Sequence, residues 1–259
     1  MATMRIVNTR PRERAAKLSS ELIALGYQVQ ELPLLELCAL PLDEILIQQF
    51  RALQHADMIV VVSPIAVQLG MQYYQQLGYV STLLQQKHWI AVGKSTQHML
   101  LQYGIQSVCP VIETSEGMLQ LPILQDCRQQ TVAFWRGIGG RTLMMQQLQQ
   151  QGCHVVNMLL YTRRQPTTPN DVQEQLAYLP ASILLSSEES WNNWLKLAMQ
   201  YPLLQQQLAQ QIYLVLGERV SQVVRDYFST QATKVTILTL TDLTAQTIHQ
   251  QLQQYQVHE

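Results

Sequence analysis

The chain has 259 residues, of which 47% are hydrophobic and 14% charged, and its formal net charge is −1. This length allows two modest domains with a core each, and the composition excludes a disordered chain. Because no apolar run approaches the roughly 18 residues of a membrane span and the start lacks a signal-peptide core, we expect a cytoplasmic protein without a membrane partner.

The first half of the chain predicts alternating strands and helices. Residues 5–9 form a short apolar strand, and a helix starts at Pro11 and ends at Gly26. Residues 28–37 are predicted to be extended, with an interruption at Pro33. The following elements are a helix from Asp43, a strand over 58–62, a helix capped by Ser63 with Pro64 at its first position, a strand over 89–92, and a helix after Gly93.

The second half repeats this plan. A strand over 131–135 leads into the loop RGIGGR (136–141), and the next helix ends at Gly152. Residues 154–165 are predicted to be extended. The remaining elements are a strand over 181–185, a helix with a capping-box pattern at Ser187, a strand over 213–216 before Gly217, a strand over 234–238, and a last helix from Asp242.

The two halves also share landmarks in register. Each half has an arginine 16 residues before a glycine and a serine 30 residues before another glycine: Arg10 and Gly26, Ser63 and Gly93, then Arg136 and Gly152, Ser187 and Gly217. The repeat predicts an α/β fold of two similar lobes, each a parallel sheet flanked by helices, with a ligand cleft between them.

The extended segments 28–37 and 154–165 suggest how the lobes are connected. Each follows the first strand–helix element of its half, so we predict that they pair as a two-stranded connector. One lobe then consists of residues 1–34 and 165–259, and the other of residues 38–160.

Basic residues are unevenly distributed. Ten of the seventeen Lys and Arg residues lie within 5–17 and 128–164, and no acidic residue occurs between Asp126 and Asp171. Solvated helix faces account for several of them. Arg10 and Arg136 instead stand where a strand runs into a loop, which favours a ligand role.

The loop 136–141 and the helix caps are candidate anion sites. Gly139 and Gly140 permit close approach of a ligand to the backbone, and Arg136 and Arg141 would pair with a carboxylate. A dinucleotide site is less well supported, because no acidic residue follows about twenty positions later to hold a ribose. Ser63 and Ser187 cap helices at strand ends, where they can also contact a ligand. Tyr161 lies within the extended segment 154–165, where a buried structural tyrosine is the default interpretation, but its phenol could donate a proton.

The four cysteines, Cys38, Cys109, Cys127 and Cys153, show no metal-ligand or CxxC spacing. We interpret them as thiols of a reducing compartment and predict neither a disulfide framework nor a metal site.

The run RGIGGRTLMMQQLQQQGCHVVNMLLYTRR (136–164) resembles the RGxGGR and tyrosine motif stretch of uroporphyrinogen-III synthases. Six further motifs agree in order over nearly the whole chain: TRP (9–11), VVSPIAV (61–67), AVGKST (91–96), SEG (115–117), SSEESW (186–191) and LGERVS (216–221).

The resemblance implies a lyase that dehydrates and cyclises hydroxymethylbilane, a linear tetrapyrrole, to uroporphyrinogen III in haem biosynthesis. It implies two lobes, no cofactor, and inversion of ring D through a spiro intermediate. Tyr161 is the implied general acid and Thr96 a second catalytic candidate. We predict that the substrate-binding residues are Arg10, Ser63, Lys94, Arg136, Gly139, Gly140, Arg141, Ser187 and Gly217. We expect a monomer that binds the preceding enzyme of the pathway and does not bind nucleic acid.

Some positions depart from the family pattern. Val220 and Ser221 stand where the family has threonine and alanine, and Val62 and Ile65 replace threonine and asparagine. The alternative function is a non-catalytic two-lobed protein that binds a polycarboxylate or a nucleotide, and a dinucleotide-dependent enzyme is a third hypothesis.

Overall fold

The structure is a computed structural model that describes residues 4–80, 82–140, 142–166 and 180–258. It divides into two compact units. Unit 1 comprises Met1–Glu36 and Arg164–Glu259, and unit 2 comprises Leu37–Arg163. The chain therefore enters unit 2 once and returns once to unit 1.

The strands, in chain order, are β1 (Arg5–Asn8), β2 (Gln28–Glu31), β3 (Glu36–Ala39), β4 (Met58–Val61), β5 (His88–Ala91), β6 (Thr131–Gly137), β7 (His154–Arg164), β8 (Ser182–Leu185), β9 (Ile212–Leu216) and β10 (Thr236–Leu240). The helices are α1 (Arg12–Ala24), α2 (Glu44–Leu53), α3 (Pro64–Gln76), α4 (Thr82–Gln85), α5 (Lys94–Gln102), α6 (Ser115–Leu119), α7 (Pro122–Gln125), α8 (Leu143–Gln150), α9 (Glu188–Gln200), α10 (Pro202–Gln207), α11 (Glu218–Thr230) and α12 (Ala245–His258).

The described residues of each unit form one five-stranded sheet. Sheet 1, in unit 1, has the order β10-β9-β8-β1-β2, and all of its strand pairs are parallel. Sheet 2, in unit 2, has the order β3-β7-β6-β4-β5, with β7, β6, β4 and β5 pairing in parallel. The predicted α/β class with parallel sheets is confirmed. Each sheet combines strands from both halves of the sequence repeat.

Both faces of each sheet are buried, which explains why the strands read as continuous apolar runs. In β4, Met58 and Val60 contribute to one core cluster of unit 2, and Ile59 and Val61 contribute to the other. In unit 1, Ile183 and Leu184 of β8 face opposite clusters in the same way. Helices cover both faces in each unit, because alternate side chains need an apolar layer on each side.

The helix caps follow from local sequence. The Ser63 hydroxyl oxygen accepts a hydrogen bond from the Ala66 backbone N–H, and Pro64 occupies the first position of α3. Ser187 caps α9 and forms a reciprocal capping box with Ser190. Both predicted caps are present in the structure.

The two extended segments pair less extensively than predicted. Over Gln28–Glu31 the first segment pairs with β1, and beyond this ladder the Leu32 and Leu34 backbone N–H groups still donate to the Asn8 and Thr9 carbonyls. β7 pairs with β6 from His154 to Tyr161, three residues short of its end. Only the end of the first segment, β3, lies beside β7 in sheet 2.

Candidate active site

The carboxyl ends of β4 and β6 form a switch point of sheet 2, because the chain continues to β5 on one side and to β7 on the other. Crevices at such points are the usual ligand sites of parallel sheets. A cavity of about 200 Å³, here called the strand-end cavity, lies at this place within unit 2. Its lining includes Val62, Val92, Arg136, Gly139, Gly140 and Tyr161.

Tyr161 contributes a phenol to the strand-end cavity, and this phenol contacts a second hydroxyl group. Its side chain is buried, and its phenolic oxygen lies 3.0 Å from Ser63 Oγ. Ser63 Oγ also accepts from the Ala66 backbone N–H at 3.3 Å. Since either hydroxyl can donate in the Tyr161–Ser63 pair, one of the two protons remains available to a ligand.

Gly137 makes room for the Tyr161 ring. The β6–β7 register shifts between Arg136 and Gly137, so that Gly137 lies opposite Tyr161. A Cβ atom on Gly137 would lie 2.4 Å from a ring carbon of Tyr161, which is closer than real Cβ atoms approach other atoms. The bulge and the glycine together let the ring pack directly against the β6 backbone.

Arg136 is a buried cation at the end of β6. Its Nε–H donates to the Gly137 carbonyl at 3.3 Å, one Nη donates to the Gly139 carbonyl, and the other contacts the Met145 sulfur at 3.6 Å. Burial lowers the pKa of Arg136, an effect that the nearby Tyr161 opposes, yet a guanidinium stays protonated in proteins. No carboxylate pairs with Arg136 in the described ranges, and two of its five N–H groups remain for a ligand.

The glycine loop after β6 depends on its glycines. Gly139 has φ +80° and Gly140 has φ +76°, a region that L side chains rarely adopt. Both glycines are exposed at the mouth of the cavity. Arg141, the last residue of the predicted motif, lies outside the described residues.

The start of α5 contains Thr96 and Lys94. Thr96 is buried, and its hydroxyl forms no hydrogen bond within the described part of the chain. The Lys94 backbone N–H donates to Glu113 Oε1 at 2.9 Å, and the Lys94 side chain is exposed. The carboxylate of Glu113 thus occupies the amino end of α5, beside the predicted substrate contact Lys94.

Unit 1 has its own switch point between β1 and β8. Arg10 follows β1 and Ser187 follows β8, so the sheet brings two predicted residues to neighbouring strand ends. Arg10 lines a cavity of about 740 Å³ with Arg14 and Lys17. Burial and the charge of Arg14 lower the pKa of Arg10. Gly217 has φ +74° and precedes α11.

The described ranges contain neither a candidate metal site nor a candidate membrane-spanning helix. No group of three or more His, Cys, Asp or Glu side chains is arranged to hold a metal ion there. Every helix in those ranges is too short or too polar to cross a membrane.

A family model for uroporphyrinogen-III synthase HemD matches residues 16–241. The chain belongs to the uroporphyrinogen-III synthase family. The resemblance drawn from the sequence motifs is therefore confirmed, and the comparisons do not support the alternative of a non-catalytic binding protein.

Relatives with the same description are found in enterobacteria. The chain is 31% identical to uroporphyrinogen-III synthase of Proteus mirabilis over 164 residues, which cover 62% of this chain and 80% of the relative. It is 29% identical to the Escherichia coli protein over 168 residues, or 62% of this chain and 65% of the relative.

Two solved structures share the fold. A mutant uroporphyrinogen III synthase from the extremely thermophilic bacterium Thermus thermophilus matches with a TM-score of 0.62 and 17% identity, over 97% of this chain and 100% of that one. Uroporphyrinogen-III synthetase from Helicobacter pylori matches with a TM-score of 0.60 and 14% identity, over 99% and 100% of the two chains.

The structure shows the surroundings of Val220 and Ser221, two positions that depart from the uroporphyrinogen-III synthase pattern. Val220 is buried in the core of unit 1, where a hydroxyl would need a partner. Ser221 is fully buried, and its oxygen accepts a hydrogen bond from the Thr239 hydroxyl at 2.9 Å. The Ser221 hydroxyl therefore takes part in a hydrogen bond within unit 1.

Sequence reasoning missed two residues beside the strand-end cavity and α5. Gly137 was part of RGIGGR, but its close approach to Tyr161 depends on a register shift that no local pattern reveals. Glu113 stands two residues before Ser115 of the SEG motif, and its carboxylate reaches α5. No local pattern linked Glu113 to the helix that starts 19 residues earlier, at Lys94.

Proposed function

We propose that this chain converts hydroxymethylbilane into uroporphyrinogen III by loss of water and ring closure with inversion of ring D. The observation that carries the proposal is that Tyr161 and the buried Arg136 line the strand-end cavity, with the Tyr161 phenol 3.0 Å from Ser63 Oγ. In this proposal the chain acts as a cytoplasmic monomer without a metal or organic cofactor, on substrate supplied by the preceding pathway enzyme.

Proton donation to the leaving hydroxyl is assigned to Tyr161. The phenol gives its proton to the hydroxyl of the hydroxymethyl group, which departs as water and leaves an electrophilic azafulvenium cation. Ser63 then donates a hydrogen bond to the phenolate across their 3.0 Å separation, which stabilises the charge that forms. Ring closure later releases one proton, which returns to the phenolate and restores the phenol. A positioned general acid of this kind contributes about 10²–10⁴-fold in rate. Thr96 is a second candidate for contact with the reacting group.

Substrate recognition is assigned to cationic and backbone groups, because the substrate carries carboxylates. Arg136 meets one carboxylate with its unused N–H groups, and the charge-assisted bonds are stronger for being buried. Gly139, Gly140 and Arg141 complete that subsite. Arg10, Lys94, Ser187 and Gly217 remain predicted contacts for the other carboxylates.

Control of the closure direction is the main task of the site. Direct closure of the azafulvenium cation gives the symmetrical type I isomer, whereas attack through the substituted carbon of ring D gives the spiro intermediate and then type III. Holding the reacting carbons in the second geometry contributes up to about 7–11 kcal/mol at the limit measured for oriented reactions. The buried Arg136 at the end of β6 suits this positioning role.

The product isomer tests the proposal. The purified chain is supplied with hydroxymethylbilane, the products are oxidised, and type I and type III porphyrins are separated. We expect mostly type III, whereas buffer alone gives type I. Type I alone from folded protein contradicts the proposal, and type I with saturable substrate binding would favour a binding protein.

Ser63→Ala tests the hydroxyl pair. We expect kcat to fall about 10-fold, because the phenolate loses the hydrogen bond that stabilises it, worth about 1–1.5 kcal/mol. The helix also loses its cap, at about 1 kcal/mol of unfolding free energy. Steady-state kinetics and urea unfolding measure the two effects separately.

Asp43→Ala is the matched control. Asp43 caps α2 in the same unit by accepting from the Leu46 backbone N–H at 2.9 Å, and it does not line the strand-end cavity. It should reduce stability by a similar amount and leave kcat unchanged. Equal losses of kcat in both variants would assign the Ser63 effect to helix capping and remove Ser63 from the chemistry.

A further inference from the structure

Two cysteines of unit 2 lie in contact in the core. Cys127 precedes β6 and Cys153 precedes β7, and their sulfur atoms are 2.7 Å apart. Both side chains are buried, and both residues are free thiols. Their separation of 26 positions is spanned by β6, the glycine loop and α8.

The surrounding backbone fixes this contact. The Cys153 thiol donates to the Cys127 carbonyl at 2.9 Å, and the Cys127 thiol lies 3.3 Å from the Leu124 carbonyl. The Gln129 backbone N–H donates to the Gly152 carbonyl, which ties the two segments together next to the sulfurs. The thiols therefore face each other because the amino ends of β6 and β7 are neighbours in sheet 2.

We propose that Cys127 and Cys153 are a modification site at which mild oxidation by hydrogen peroxide forms an intramolecular disulfide. Sulfurs that already touch need only a small shift to reach bonding distance. Cys38 and Cys109 are only partly buried and are separate from this pair.

The reaction proceeds in two balanced steps. Peroxide transfers one oxygen atom to the Cys127 sulfur, giving a sulfenic acid, and its second oxygen leaves as water. The Cys153 sulfur then attacks the sulfenic sulfur, the S–O bond breaks, and a second water leaves. Overall, two thiols and one hydrogen peroxide give one disulfide and two waters.

Cys127 is the group oxidised first. The Cys153 thiol donates its hydrogen to the Cys127 carbonyl at 2.9 Å, which holds that proton in place, and burial raises the pKa of Cys153. Burial of both sulfurs also restricts the reaction to a small oxidant, which is why peroxide is named here. Cys153 acts as the resolving thiol once the sulfenic acid has formed.

The disulfide joins the amino ends of β6 and β7, whereas Arg136 and Tyr161 lie near their carboxyl ends. A link across this loop restricts the unfolded chain and should raise the unfolding midpoint by about 5–10 °C. Turnover should not change, because the link forms at the opposite end of the strands.

The experiment uses the full-length chain. It is exposed to hydrogen peroxide, the remaining thiols are alkylated, and peptides are mapped by mass spectrometry without reduction. We expect a Cys127–Cys153 peptide that is two hydrogens lighter than the sum of the two thiol peptides, a higher unfolding midpoint, and reversal of both by a reducing agent.

Two variants make the result specific. Cys38→Ala combined with Cys109→Ala should still form the link, and Cys153→Ala should instead give a Cys127 sulfenic acid that is trapped by dimedone. Recovery of Cys127 and Cys153 as unmodified thiols, as sulfinic acids, or in disulfides with Cys38 or Cys109 overturns the proposal. If Cys153→Ala does not fold, the peptide map of the parent chain still decides the question.

Discussion

Tyr161→Phe should lower kcat for uroporphyrinogen III formation by about 100-fold, at the lower end of the range for loss of a general acid. The ring remains in place against Gly137, and only the phenolic oxygen that contacts Ser63 is removed. Because the phenol acts on the leaving hydroxyl, kcat should fall while KM changes little. Steady-state kinetics with isomer analysis of the products measure both effects.

Tyr73→Phe is the matched control for this variant. Tyr73 is buried in the same unit, and its hydroxyl donates to the Leu40 carbonyl without lining the strand-end cavity. Each substitution removes one buried hydroxyl and should lower the unfolding free energy by about 0.5–1.5 kcal/mol. Unchanged turnover in Tyr161→Phe would remove Tyr161 from the role of acid, and equal losses of turnover in both variants would assign the effect to packing.

The parts of the fold that local sequence determines were predicted from the sequence. Pro64 after Ser63 predicted the start of α3, and the apolar run at 58–62 predicted β4, observed as Met58–Val61. The serine and glycine landmarks recur because each half repeats a strand, a cap and a helix. These features depend on a few neighbouring residues, so a single sequence contains their signal.

The candidate site was predicted less completely, because its geometry depends on register between distant strands. The sequence identified Ser63 and Tyr161 separately, 98 positions apart, but the 3.0 Å contact between them needs β4 and β7 to be placed on either side of β6. The same limit applies to the cysteines, which showed no spacing motif but meet where β6 and β7 begin. Periodicity gives the elements, and the contacts arise from how the sheet orders them.

The extended segments illustrate a related limit. Continuous apolar character over 28–37 and 154–165 predicted extended structure, which occurs as β2, β3 and β7. It did not say which strand each segment pairs with, because a parallel partner can lie far away in sequence. Only Pro33 gave a local signal, and it correctly marked the break in the first segment.

Gly137→Ala tests whether the position of the Tyr161 ring matters as much as its hydroxyl. The new methyl group would lie 2.4–2.8 Å from three ring carbons, and the buried ring has to move away from Ser63 to relieve the overlap. We expect kcat to fall by about 100-fold, as in Tyr161→Phe, and the unfolding free energy to fall by about 1–3 kcal/mol from overpacking.

Gly70→Ala and a double variant separate these two effects. A Cβ on Gly70 would lie 2.2 Å from the Trp135 ring in the core of unit 2, so Gly70→Ala should destabilise the unit while each folded molecule keeps its turnover. Adding Gly137→Ala to Tyr161→Phe should cost little further kcat, because both changes remove the same phenol contact. If instead the two losses multiply, Gly137 does not act through Tyr161, and the β6 bulge must influence the reaction by another route.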